Sequence, residues 1–125
     1  MSILQVSKIY ETIEKLEVLY GQYYDRSVIM DVLAIVKKNK TFLKERFGVK
    51  KIGVFGSMVR GEAKEESDVD VLVEFENTKK SFDNFMELSF FLEDLFWKKV
   101  DLITTSGLDK YVRPYVEREV VWCEK

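Results

Sequence analysis

The stretch Asp68–Glu76, DVDVLVEFE, alternates almost without fault. Val69, Val71, Val73 and Phe75 share one parity; Asp68, Asp70, Glu74 and Glu76 share the other. Period-two alternation places one set of side chains on each face of a strand, and it fits no helix, whose apolar positions recur every three or four residues. A strand with one apolar face needs a sheet and a covering layer. Two further apolar runs supply neighbours: KIGVF at Lys51–Phe55 and VDLIT at Val100–Thr104. The puzzle is the charge. Two acids stand at the mouth of a strand that is otherwise built to be buried.

Helical periodicity fills the rest. Residues 4–24 carry Ile9, Ile13, Leu16, Tyr20 and Tyr23 at spacings of three and four, which predicts an amphipathic helix. A second helix is expected from Ser27, as N-cap, to Phe47, with Ile29, Val32, Val36, Leu43 and Phe47 inward, Gly48 as C-cap and Asn39 as a break. Ser81 caps a third, broadly apolar helix, FDNFMELSFFLEDLFWK. A last helix is expected from Leu108 to about Arg118, with Pro114 disturbing its middle. The tail EVVWCEK reads as a short strand. The order is that of an α/β (α+β) domain: a small mixed β-sheet flanked by helices. Residues 1–26 form an N-terminal helical extension and 27–125 the main domain.

Composition narrows the function. The chain has 125 residues, which suits one domain, and 46% of them are hydrophobic, enough for a core. Charges nearly cancel at net −2, so no general nucleic-acid binding is expected. Cys123 is the single cysteine, so no intrachain disulfide forms. It reads as a small apolar residue near the end. The N-terminus lacks a signal-peptide pattern, and no run approaches the roughly 20 apolar residues of a membrane span. A cytoplasmic protein is expected. Histidine is absent. That removes histidine bases, Ser-His-Asp triads and the common zinc sites, leaving carboxylates, hydroxyls and bound ions to carry any chemistry.

Asp68 and Asp70 lie two apart on one strand, roughly 6–7 Å apart along the backbone, and share a face. Like charges so close are costly unless a cation neutralises them, and hard carboxylates suit Mg²⁺ or Mn²⁺. Asp101 stands alone in the apolar run VDLIT. Three acids from adjacent strands can hold two metal ions. Gly56-Ser57 ends another strand; glycine lets backbone approach a ligand closely, and Ser57 offers a hydroxyl and an N–H. Together the parts suit a nucleoside triphosphate held by metal and a Gly-Ser turn, without the G-x-x-x-x-G-K-[ST] loop of P-loop enzymes. Singly, each feature has an ordinary reading as turn, solvated strand end or edge-strand charge. Their combination is what points to a site.

Gly56-Ser57, ten residues, then Asp68-x-Asp70 resembles the signature of the DNA polymerase β-like nucleotidyltransferase superfamily. The wider stretches FGSMVRGEAKEESDVDVLVEF, KKVDLITTSGL and YVRPYVEREVV resemble the minimal nucleotidyltransferases, the antitoxins paired with HEPN-domain toxins. The likeness covers about residues 29–123. It implies that Asp68 and Asp70 bind two Mg²⁺ ions carrying the triphosphate of ATP. Asp101 would complete a metal site and help deprotonate the attacking hydroxyl, and Gly56 and Ser57 would hold phosphates. The implied acceptor is a tyrosine hydroxyl of the partner HEPN toxin, silenced by AMP. Arg60 matches the family's G-S-x-x-R-G pattern and either meets a phosphate or locks the loop by pairing with an acid. Arg113 and Arg118 face the nucleotide or partner, or are solvated helix charge.

Trp97-Lys98-Lys99 departs from the Gly-Arg-Lys common before Val-Asp-Leu in these proteins. The N-terminal stripe packs on the domain or serves a dimer or partner interface, so a homodimer is one expectation. Two alternatives stand beside protein adenylylation: a small-molecule or RNA-end acceptor, and neutralisation by contact alone. Without histidine, the chain itself is not a HEPN ribonuclease of the Arg-x-x-x-x-His type.

Overall fold

The computed structural model describes residues 26–63 and 67–123. The helix expected over 4–24, residues 1–25 of the N-terminal extension and the Lys64–Glu66 run lie outside them. Helix α1 (Arg26–Lys38) and helix α2 (Lys40–Phe47) precede strand β1 (Val49–Phe55) and a 3-10 turn at Gly56–Met58. Strand β2 (Val69–Phe75), a 3-10 turn at Asn77–Lys79 and helix α3 (Phe82–Phe96) follow. Strand β3 (Val100–Thr104), a 3-10 turn at Thr105–Gly107, helix α4 (Arg113–Glu119) and the short strand β4 (Val121–Trp122) complete the described chain.

The sheet runs β3-β2-β1-β4. Strand β1 is antiparallel to β2 and β4, whereas β2 and β3 are parallel. The mixed sheet expected from sequence is therefore present. The parallel pair needs a crossover, and α3 provides it. The period-two strand sorts its side chains as expected. Val69, Val71, Val73 and Phe75 join Ile29, Leu43, Leu88 and Leu92 in the main core beneath α1, α2 and α3. The opposite parity faces α4, where Leu72 packs with Phe55, Leu108 and Val116. Asp70 shares that parity.

Local chemistry explains the helix ends. Asn39 does break the second expected helix; its side-chain amide donates to Ile35 O at 2.8 Å, tying down a carbonyl at the junction. Ser27 lies inside α1 rather than ahead of it, so it is not the N-cap. Gly48 takes the left-handed C-cap at φ 69°. Ser81 Oγ accepts the Asn84 N–H at 3.1 Å, the capping bond expected of it. The last helix starts later than expected. Pro114 sits in its first turn, where a missing N–H costs nothing, so it opens α4 instead of disturbing its middle. Cys123 is free and buried. No described helix is long and apolar enough to cross a membrane.

Leu88, on α3, is fully buried. Leu88→Ala is expected to cost about 2–5 kcal/mol, read as a lower urea midpoint at unchanged slope.

Candidate active site

Strand pairing assembles the site. Phe55 of β1 stands opposite Asp70 of β2, and Asp70 stands opposite Asp101 of β3. Phe55, Asp70 and Asp101 thus form one row across three strands, on the face covered by α4. Neighbouring strands lie about 4.8 Å apart, so the two acids begin one strand spacing from each other. Asp68 stands two residues before Asp70, just ahead of β2, and is exposed. Asp101 is exposed as well, while Asp70 is half-buried.

The turn after β1 closes against this row. Gly56 has φ 80°, and a Cβ there would collide with the Asp70 carboxylate. Glycine is required because the acid occupies the space, a reason the sequence reading placed in a ligand instead. The N–H groups of Val59 and Arg60 both donate to Gly56 O, at 3.0 and 3.1 Å, and Glu62 N–H donates to Ser57 O at 2.9 Å. Met58 and Val59 are buried, so the turn is anchored in the core. Ser57 sits half-buried in the same turn, and no described group engages its hydroxyl.

Arg60 locks this loop. Its Nη1 meets Glu119 Oε1 at 2.7 Å and its Nε meets Glu62 Oε2 at 3.2 Å. Burial works against the guanidinium charge, but the hydrogen bonds and charges of Glu62 and Glu119 outweigh it and hold its pKa above the usual value. Glu119 is the residue that sequence reasoning missed. It ends α4, and nothing in its neighbourhood separates it from ordinary helix-surface charge. Arg113 donates to Thr105 O at 3.0 Å and Leu108 O at 3.3 Å, and pairs with Glu117 at 3.5 Å. Arg118 donates to Pro114 O at 3.2 Å and lies over the Tyr115 ring. Both side chains brace α4 and the loop before it.

The three acids have no hydrogen-bonding or ion-pair partner among the described residues. Burial pushes the Asp70 carboxyl up to about 6; the charges of Asp101, Asp68 and Glu119 add to the effect and Arg60 opposes it. The donor set is hard and anionic, and Arg60 offsets its charge only in part, which is what a divalent cation would relieve. It is also open: no three acids among the described residues close around one ion. Mg²⁺ characteristically takes one or two carboxylates and draws further ligands from substrate phosphates and water, so an open set fits it.

Residues 36–123 match the family described as a nucleotidyltransferase domain. The chain is 50% identical over 92 residues to protein adenylyltransferase MntA of Thermococcus cleftensis, covering 74% of this chain and 92% of that protein. It is 41% identical over 96 residues to a Methanocaldococcus jannaschii protein named as a candidate protein adenylyltransferase, covering 75% of this chain and 96% of that one. Among solved structures, one described as a candidate minimal nucleotidyltransferase superposes with a TM-score of 0.61 at 36% identity, covering 71% of this chain and 90% of its own. A toxin–antitoxin structure with AMP-PNP matches in fold, with a TM-score of 0.59 at 20% identity over 70% of this chain and 72% of that one.

The raised Asp70 pKa has a stability consequence. Its folded value lies above its unfolded value of 3.8, so its contribution is most favourable below pH 4 and is lost as pH rises toward 6. Discounted for a partly solvated site, the loss is about 1–2 kcal/mol. With a chelator present, Asp70→Asn is therefore expected to melt higher than wild type at pH 7.5, and the gap is expected to close by pH 4. Thermal melts across that range test it.

Proposed function

The chain belongs to the nucleotidyltransferase domain family, and from that premise we propose that it transfers AMP from ATP to a hydroxyl, a tyrosine, of a partner HEPN-domain toxin and so acts as its antitoxin. The observation that carries the reading is the row Phe55–Asp70–Asp101 with Gly56 pressed against its central acid. It puts carboxylates beside a turn whose backbone is shaped for close approach. The adenylyltransferase name of the Thermococcus relative supports the same reaction.

Asp68, Asp70 and Asp101 are the residues that would hold two Mg²⁺ ions. When bound, the metal supplies charge neutralisation of the triphosphate and of the developing transition state. The chain's own groups do the rest. Gly56 lets the turn close onto Asp70, which would bring a bound phosphate beside Ser57, and Ser57 offers its hydroxyl and N–H to it. Arg60, held by Glu62 and Glu119, fixes the loop that carries both and places positive charge near Asp70. The acceptor oxygen attacks the α-phosphorus. The bond from that phosphorus to the bridging oxygen breaks, pyrophosphate leaves, and the hydroxyl proton passes toward Asp101. Positioning and electrostatics carry the rate, because phosphoryl-type transfer asks little covalent chemistry of the protein.

Incubation with Mg²⁺, ATP and a purified HEPN-domain partner, followed by intact-mass measurement, tests the reading. An AMP-sized gain on the partner is expected, and its loss in the Asp68→Asn/Asp70→Asn double variant. A stable complex with no gain in mass would point instead to neutralisation by contact.

A further inference from the structure

Helix α3 ends in an unusual way. Its C-cap, Trp97, is the one non-glycine residue with positive φ among the described residues, at 57°. The left-handed conformation costs a residue with a Cβ about 1–2 kcal/mol, and glycine holds such caps without that cost. Trp97 is also 92% exposed. Its indole therefore recovers nothing from burial within the described fold. The backbone around it is pinned on both sides. Trp97 N–H donates to Glu93 O at 2.9 Å, Glu93 Oε2 accepts the Val100 N–H at 3.0 Å, and Lys99 O accepts the Val69 N–H at 2.9 Å. A fixed, costly backbone holds a large apolar ring out in water.

Position gives the ring a use. Trp97 stands four residues before Asp101, near the start of β3, which is one of the two edge strands of the sheet. Four residues span at most about 14 Å. One face of a standard protein interface, about 800 Å², is a disc of roughly 16 Å radius, so one docked surface can cover Trp97 while presenting a hydroxyl at Asp101. Phe82 is also exposed, but it begins α3, fifteen residues and about 22 Å of helix away, at the other end of the sheet. Tryptophan is among the side chains most often found as interface anchors.

We propose that Trp97 anchors the acceptor protein. The indole enters an apolar notch on the surface that bears the acceptor hydroxyl, and the exposed Lys99 sets acidic groups on the complementary rim of that notch. This rests on the reading of the site as one that modifies a protein.

Initial rates of AMP transfer to the purified HEPN-domain partner, measured across partner concentrations, test it in wild type, Trp97→Gly and Trp97→Phe. Trp97→Gly is expected to raise KM for the partner ten- to thirtyfold with kcat within about twofold, the pattern of lost uniform binding. Its melting temperature is expected to equal or exceed that of wild type, because glycine relieves the cap. Trp97→Phe keeps the backbone cost and a ring, and its KM is expected within about threefold of wild type. Unchanged KM in Trp97→Gly overturns the anchor while leaving the site's reading intact. Absence of transfer by wild type overturns that reading, and the anchor with it.

Discussion

Parallel pairing of β2 with β3 sets Asp70 beside Asp101 with no described partner for either carboxylate. The Asp101 charge adds to the burial that already disfavours an ionised Asp70. The fold has to outweigh this before any ligand arrives. It does so through the other face of the same strand. Val69, Val71 and Val73 are buried almost completely, and each contributes roughly 1.5–3 kcal/mol of apolar burial. One strand thus carries the repulsion on one parity and its compensation on the other, and the covering helices α1, α2 and α3 exist to complete the second. Cation binding would remove the first.

The two faces of the sheet divide labour accordingly. The larger cluster holds the structure together. The smaller one, Phe55, Leu72, Leu108 and Val116, seats α4 above the row of acids. Glu119 at the end of α4 is then close enough to grip Arg60, so a helix with few buried residues of its own fixes the loop that borders the acids. Glu119 is only 17% exposed in this pairing, which makes the contact firmer than a solvated surface ion pair.

Much of this was legible in the residues. The period-two run gave β2 to within a residue at each end, because one buried face imposes the pattern. Asp101 was legible because an acid is out of place between apolar neighbours. The Gly-Ser turn was legible as a close approach, though the group approached in the fold is Asp70. What was not legible depends on tertiary context. Pro114 reads equally as helix interior or first turn, and only the packing of Val116 decides between them. Ser27 has a capping residue's chemistry, yet the helix includes it. Glu119 becomes special through a partner 59 residues earlier, and no local pattern reports such a contact. Trp97 reads as the end of an apolar helix face; its left-handed backbone is set by Glu93 and Lys99 on either side.

The Arg60–Glu119 contact also orders events in time. Chains are made from the N-terminus at about 5–20 residues per second, and elements fold as their partners emerge. Strands β1 and β2 can pair as soon as Phe75 is out. The parallel strand β3 must wait for the whole of α3, and the clasp on the Gly56–Arg60 loop must wait for Glu119. Each newly made molecule therefore passes through a stage in which β1 and β2 are paired while the Gly56–Arg60 loop is still unclasped, and the row of acids is complete only once β3 has joined them.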